Sequence, residues 1–286
     1  MSGMVGGTRK RVFNVVKTVL LFALLLLYMV PFLLVVINAF KSNGAILSSP
    51  LGLIDPDGIT FSNFSKAWER MDFLRSFMNS LMITGVSVVL IVLVSSMTAW
   101  LFVRFSWKIN KIFFGAMVAA MIVPFQVIMI PLVYVYGGVL DILGNPVTLM
   151  AMNVGFGVSM ATFIYHGFIK GGVPLSLEEA ATLDGCTRTQ MFFKVVFPLL
   201  KPTTATIVVL DVLWVWNDYL LPSLVLSNNR DAFTLPLSTY TFYGAYLTDY
   251  GAIMAALCLT ALPVIVLYLF LQKQIISGVI SGAVKA

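Results

Sequence analysis

Long stretches without charge constrain this chain more than any other feature of its sequence. Five such windows span residues 18–40, 76–103, 112–140, 142–169 and 250–272, and a sixth apolar stretch follows Lys201. A helix needs about 20 predominantly apolar residues to cross the hydrocarbon core of a bilayer. Only 10% of the residues are charged, whereas soluble domains carry about 25%. The windows therefore predict an all-α integral membrane protein with six transmembrane helices.

Basic residues are distributed unequally between the two sets of connecting segments. If the N terminus is cytoplasmic, the inner segments hold thirteen of the 18 Lys and Arg residues and three acids. The outer segments then hold five basic and seven acidic residues. Cytoplasmic loops of membrane proteins carry an excess of Lys and Arg. Both termini are therefore predicted to be cytoplasmic, and this topology explains the basic balance without nucleic-acid binding.

The windows and the charges together divide the chain into consecutive regions. The predicted regions are a cytoplasmic N terminus at 1–17, a first transmembrane helix at 18–40, an extracytoplasmic loop at 41–75, a core at 76–271, and a cytoplasmic tail at 272–286. The first helix follows a basic segment, as in a signal peptide. Because it is long and has no A-x-A-like cleavage site, an uncleaved helix is predicted.

Residues 174–202 form the longest amphipathic, charge-bearing segment between apolar runs, on the predicted cytoplasmic side. Ser176 with Glu179, and Thr187 with Gln190, have the spacing of two capping boxes, and each box begins a helix. Gly185 lies between them and is a residue at which helices commonly end. Two short helices joined at a glycine are therefore predicted. Leu177, Ala180 and Ala181 are expected on one face of the first helix, and Glu178, Glu179 and Thr182 on the other.

Motifs for catalysis are absent from the sequence. It contains no G-x-x-x-x-G-K-[ST] pattern for nucleotide binding. His166 is the only histidine, and Cys186 and Cys258 lack the spacing of a metal site. No catalytic residue and no metal site is predicted, so energy for any transport must come from a partner or from an ion gradient.

Two acids lie in the apolar stretch after Lys201. An acid at the centre of a bilayer costs about 2.5–3.5 kcal/mol on insertion scales, so it normally faces the interior of a helix bundle. Asp211 is interpreted as a buried tie between helices. Asp218, next to Asn217, is either part of a helix-end hydrogen-bond pair or a residue of a transport pathway. Pro124 and Pro131 predict that the third helix is bent.

Residues of the segment 174–202 resemble the EAA loop of permease subunits from binding-protein-dependent ABC importers. The matching residues are Glu179-Ala180-Ala181, Asp184-Gly185, Phe193, Pro198 and Pro202. Trp216-Asn217-Asp218, the prolines of the third span and the tail motif from Gly278 to Lys285 resemble the carbohydrate branch of the same family. Cys186 is a departure, because the family usually has alanine at that position.

The resemblance implies the type I ABC importer permease fold and a set of site residues. Eight of them are expected to couple the chain to an ATPase: Glu178, Glu179, Ala180, Ala181, Asp184, Gly185, Phe193 and Pro198. Three are expected along the substrate pathway: Asn153, Asn217 and Asp218. No cofactor is expected on the chain itself, since the family places ATP and Mg²⁺ on the partner ATPase.

The partners implied are a second permease subunit, two ATPase subunits at the cytoplasmic face, an extracytoplasmic solute-binding protein, a sugar and the lipid bilayer. The location implied is a bacterial or archaeal cytoplasmic (inner) membrane. The predicted function is import of a sugar, such as an oligosaccharide, by alternating access. Import of a non-carbohydrate solute such as glycerol phosphate is an alternative. An ion-coupled secondary transporter that uses Asp211 and Asp218 is another.

Overall fold

The structure is a computed structural model that describes residues 8–53, 55, 58–242 and 249–283. Helices and loops, without strands, make up this described part of the chain. The chain divides into two compact units, one formed by 1–70 and 241–261 and the other by 71–240 and 262–286. The fold class predicted from the apolar windows is confirmed as all-α. Lys285 of the predicted tail motif lies outside the described residues.

The first unit contains the N-terminal helices and the start of the last one. These are α1 (Thr8–Ala39), α2 (Asn43–Ser48), α3 (Ser62–Arg70) and the beginning of α14 (Tyr250–Ala283). The amide of Asn63 donates to the carbonyl oxygens of Ala39 (2.9 Å) and Lys41 (2.8 Å), so α3 is held at the end of α1. Lys66 and Asp249 form an ion pair at 3.2 Å that joins α3 to the residue before α14.

Two long helices, α4 (Phe73–Arg104) and α7 (Pro146–Gly172), form the centre of the second unit. Small and hydroxyl side chains line the buried face of α4, including Ser87, Ser95 and Ser96. Small residues allow transmembrane helices to approach closely. Gly157 of α7 illustrates how close the approach is, since a Cβ atom added there would lie 2.5 Å from Cδ1 of Ile91 on α4.

The third apolar window folds as two helices with a break between them. These are α5 (Lys108–Ala120) and α6 (Phe125–Val133), and a π-helical turn, Tyr134–Val139, continues α6. The two pieces are bent by 100°. Pro124 lies directly before α6 in an extended conformation, which fits its lack of a backbone N–H donor. The predicted bend is confirmed.

The remaining helices of the second unit are short, apart from α11. They are α8 (Leu175–Leu183), α9 (Arg188–Met191), a π-helical turn (Phe192–Val196), α10 (Phe197–Leu199), α11 (Lys201–Asn217), α12 (Leu220–Leu226) and α13 (Leu235–Ser238). α11 continues through Asp211 and ends before Asp218.

Within the described residues, four helices are individually long and apolar enough to cross a membrane. The number rises to six if each of two bent helix pairs counts as one span. The second pair joins Arg188–Leu199 to Lys201–Asn217 with a bend of 78°. A membrane protein is therefore supported, while the six-span topology with both termini inside stays a prediction.

Candidate coupling site

The first helix of the segment 174–202 begins earlier than the sequence predicted. α8 starts at Leu175, directly after Pro174, and no side chain caps it. The N–H of Leu177 donates to the carbonyl oxygen of Pro174 at 3.3 Å, so Ser176 already lies inside the helix. The predicted box of Ser176 and Glu179 is wrong, because Pro174 holds an extended conformation at φ −63° and ψ 134° and the helix follows it at once.

The end of α8 has the geometry of a Schellman motif. The N–H of Cys186 donates to the Ala181 carbonyl oxygen, and the N–H of Gly185 donates to that of Thr182, both at 3.0 Å. Gly185 has φ +78°, in the left-handed region that glycine adopts without a steric penalty. The helix stop predicted at Gly185 is confirmed.

The second helix begins where the sequence predicted. The N–H of Gln190 donates to Oγ1 of Thr187 at 3.3 Å, and the N–H of Thr187 donates to Oε1 of Gln190 at 3.0 Å. These two bonds form a complete capping box. α8 and α9 are therefore joined through a short turn in which both helix ends are satisfied by local hydrogen bonds.

A π-helical turn separates α9 from α10. Pro198 lies within α10, and a proline ring there would collide with a carbonyl four residues earlier in a regular α-helix. The wider turn at Phe192–Val196 lies directly before that position, and the N–H of Phe197 donates to Phe192. Phe192 is fully buried, whereas Phe193 is 44% exposed. Phe193 and Pro198 therefore lie at the surface of this region.

The two faces of α8 differ from those predicted. Glu178 and Ala181 are buried, while Leu177 and Ala180 are exposed. Adjacent residues on a helix are separated by about 100°, so Glu178 and Glu179 point to different sides. The predicted grouping of the two glutamates on one face is therefore wrong, because Glu178 has an internal partner.

That partner is the C-terminal end of α4. Arg104 donates from Nε to Oε1 of Glu178 at 2.7 Å, and Trp100 donates from Nε1 to Oε2 at 3.0 Å. The glutamate side chain is only 6% exposed and the arginine side chain 14%. Both carboxylate oxygens are thus bonded away from solvent. Removing one partner of such a buried ion pair costs about 3–5 kcal/mol, because the other charge stays buried.

The outward surface of the segment combines charged, small and apolar residues. Glu179, Ala180, Asp184 and Gly185 are all exposed. Leu183 is 90% exposed, although leucine is usually buried. Glu179, Ala180 and Leu183 are thus presented outward, next to the turn at Gly185.

Sequence reasoning missed Leu183, Arg104 and Trp100. Leu183 was given no role in the sequence analysis. Arg104 and Trp100 end an apolar window four residues apart, which places both on one face of α4. An arginine at the end of a transmembrane helix usually reaches the membrane interface, so the sequence did not reveal a buried partner more than seventy residues away.

Each of the three residues predicted along a substrate pathway makes a hydrogen bond within the protein. Asn153 is buried and donates to Oγ of Ser87 at 3.4 Å, between α7 and α4. Asn217 donates to the carbonyl oxygen of Leu213 within α11. Asp218 accepts from the N–H of Leu220 at 3.0 Å, at the start of α12. Each has a local structural bond, so a pathway role stays a prediction.

Two other polar residues considered in the sequence, His166 and Asp211, also lie in the second unit. His166 stacks on Phe114 with ring centroids 4.1 Å apart. Asp211 is buried, and its Oδ2 atom has no hydrogen-bond partner in the described part of the chain. The predicted tie between helices is therefore not seen at that atom.

A cavity of about 840 Å³ lies between the bent α5–α6 pair and α7. Its lining is mostly apolar, with polar groups from Tyr136, Asn145, Thr148 and Ser159. None of the three predicted pathway residues lines it. The second unit therefore has two separate features of functional interest, this cavity and the exposed surface of α8.

Comparison with known proteins identifies the group to which this architecture belongs. Residues 91–281 match the family described as binding-protein-dependent transport system inner membrane component. The chain is 38% identical to the probable starch degradation products transport system permease protein AmyC of Thermoanaerobacterium thermosulfurigenes, over 91% of this chain and 93% of the relative. It is 35% identical to the melibiose/raffinose/stachyose import permease protein MelC of Bacillus subtilis, over 90% and 92%.

A solved structure has the same fold. It is a bacterial ABC transporter involved in the import of the acidic polysaccharide alginate, with a TM-score of 0.80 at 21% identity, covering 95% of this chain and 99% of that one. The family match spans the segment 174–202, all of α7 and the C-terminal part of α4 from residue 91. The chain therefore belongs to the binding-protein-dependent transport system inner membrane component family, as a permease similar to those of carbohydrate ABC importers.

Proposed function

We propose that this chain is a permease subunit of an ATP-driven importer that carries a sugar, such as an oligosaccharide, across a cytoplasmic membrane. The observation that supports this most is the exposed face of α8, where Glu179, Ala180 and Leu183 are presented by a helix with a stable end. The sugar is suggested by relatives whose names specify starch degradation products and melibiose, raffinose and stachyose.

In this proposal the exposed face of α8 docks on a partner ATPase, which holds ATP and Mg²⁺. A second permease completes the pore, and an extracytoplasmic binding protein delivers the sugar. Closure of the ATPase pair moves the docked segment, and the permease alternates between outward and inward access. Membership in a binding-protein-dependent family favours this mechanism over ion coupling through Asp211 and Asp218.

The test uses the complete complex in proteoliposomes, with ATP supplied on the side of the membrane that carries the ATPase subunits. Uptake of starch oligosaccharides, raffinose and glycerol phosphate is measured with the binding protein present. We expect ATP-dependent uptake of an oligosaccharide. If only glycerol phosphate were taken up, the assignment of a sugar as the substrate would be wrong. If uptake proceeded without ATP and an uncoupler abolished it, the whole proposal would be contradicted.

Two variants test the proposed docking surface in the same assay. Glu179→Ala removes an exposed charge, and Gly185→Pro removes the N–H that closes the end of α8. Both are expected to leave membrane insertion intact and to uncouple uptake from ATP hydrolysis. Glu69→Ala, an exposed acid on α3, is the matched control and is expected to transport normally. Normal transport by both loop variants would contradict a docking role.

A further inference from the structure

The chain leaves the regular α-helical conformation on both sides of α8, so the coupling segment, residues 174–202, is not continuous with the long helices. Val173 and Pro174, which join α7 to α8, both have extended conformations. On the other side, the π-helical turn Phe192–Val196 and a bend of 78° near Leu200 separate α9 from α11. A force applied to α8 would therefore reach the long helices poorly through the chain alone.

Side chains provide a firmer connection, and they all converge on the C-terminal end of α4. Trp100 and Arg104 bind the two oxygens of Glu178 on α8. Nη2 of Arg104 also donates to the carbonyl oxygen of Val173 at 2.8 Å, at the end of α7. One arginine thus joins three helices.

The second half of the segment contacts the same end of α4. The guanidinium of Arg188 on α9 lies 4.9 Å from the ring centroid of Phe105, the residue that ends α4. The Phe192 ring lies 5.5 Å from that of Trp100. Both halves of the coupling segment are therefore held by α4.

We propose that Glu178 is a positioning residue that makes α4 move together with the coupling segment, so that α4 is the helix to which the ATPase movement is first transmitted. The proposal rests on the proposed function. Glu178 does not contact the ATPase in it, whereas Glu179, on the other side of α8, does. Through the buried hydrogen bonds of Glu178 with Arg104 and Trp100, the coupling segment and α4 move together as one rigid body.

The test compares sugar uptake per ATP hydrolysed in the assembled complex. Glu178→Gln keeps the shape of the side chain but removes the charge that Arg104 binds. We expect a complex that assembles with a lower thermal unfolding midpoint, because the charge of Arg104 loses its partner. ATP hydrolysis should stay close to that of the unmodified complex, and the uptake-to-hydrolysis ratio should fall about fivefold or more, the lower end of typical coupling between sites. A merely structural role would lower uptake and hydrolysis together and leave their ratio unchanged.

Controls separate this inference from the proposed function. Glu69→Gln, on exposed α3, is expected to keep the ratio of the unmodified complex. An unchanged ratio in Glu178→Gln, with ATP-dependent uptake in the unmodified complex, would overturn the inference and leave the function standing. Absence of ATP-dependent uptake in the unmodified complex would instead overturn the function.

If Glu178→Gln fails to assemble, a second variant tests the inference. Trp100→Phe keeps an aromatic ring against Phe192 but removes the Nε1 donor to Glu178. A lowered ratio in this variant supports the inference. A ratio equal to that of the unmodified complex overturns it.

Discussion

The two ends of α4 each carry an arginine in an ion pair, but in opposite surroundings. At one end Arg75 pairs with Asp72 at 3.2 Å and with Asp231, and its side chain is 53% exposed. At the other end Arg104 pairs with Glu178, and both side chains are largely buried. Exposed pairs contribute little because water screens them, whereas a buried charge depends on its partner.

The hydrogen bonds near the two arginines also differ between the two ends of α4. Near Arg75, the side-chain amide of Asn79 holds the helix by donating to the backbone carbonyl oxygens of Asp231 and Phe233. Near Arg104, the connection to α8 consists of side chains alone at the carboxylate of Glu178. A link that depends on few side chains is sensitive to substitution, so single variants should separate the two ends of α4.

The largest expected effect on stability is at the buried pair. Arg104→Ala leaves the Glu178 carboxylate in the interior without its cation, which should cost about 3–5 kcal/mol. We expect a clear fall in the thermal unfolding midpoint of the purified complex. The double variant Arg104→Met with Glu178→Met should recover much of it, because hydrophobic replacements of buried pairs are often neutral. If Arg104→Ala alone were as stable as the unmodified chain, the proposed difference between the two ends of α4 would be contradicted.

A smaller effect is expected at the turn after α8. Gly185→Ala forces a residue with a Cβ atom into φ +78°, which costs about 1–2 kcal/mol. The added Cβ would meet nothing within 4 Å, so the cost is purely conformational. Gly171→Ala in α7 also adds a Cβ into open space, but without a positive φ. Thermal unfolding should therefore distinguish the two; equal midpoints would contradict strain at Gly185.

The cap of α9 should contribute less again. Thr187→Ala removes the oxygen that accepts from Gln190 and should cost about 1 kcal/mol. Thr187→Ser keeps a hydroxyl at this position and is the matched control. Protease cleavage within 174–202 should increase for the alanine variant and stay unchanged for the serine variant. Equal cleavage of the two would show that the capping box does not hold the segment together.

The smallest effect is expected at the exposed end of α4. Arg75→Ala removes both exposed ion pairs, and such pairs contribute about 0–1 kcal/mol each. The thermal midpoint should change little, and the change should shrink further as salt is added. A loss as large as that of Arg104→Ala would mean that burial does not explain the difference between the ends.

The sequence was sufficient for features encoded over short distances. Charge-free windows predicted the long helices α4 and α7, and Pro124 predicted the break in the third window. Gly185 and the pair Thr187 and Gln190 predicted the turn of the coupling segment. In each case the determining residues lie within a few positions of the structure that they produce.

Features that depend on distant partners could not be predicted in the same way. Two adjacent glutamates, Glu178 and Glu179, look equivalent until Arg104 and Trp100 are placed beside one of them. The start of α8 was misplaced because the capping pattern of Ser176 and Glu179 was weighed without Pro174, after which the helix begins. Three candidate pathway residues turned out to have local bonds, since an Asn or Asp at a helix end has structural uses that composition alone does not distinguish.

Docking of α8 on an ATPase is the central claim, and cross-linking tests it most directly. The photo-reactive residue p-benzoylphenylalanine is introduced in place of Leu183, which is 90% exposed on α8. The control carries it in place of Phe61, which is 70% exposed in the predicted extracytoplasmic loop. Irradiation of the assembled complex should join position 183, and not position 61, to the ATPase subunit. A product with the ATPase from position 61, or none from position 183, would contradict the claim.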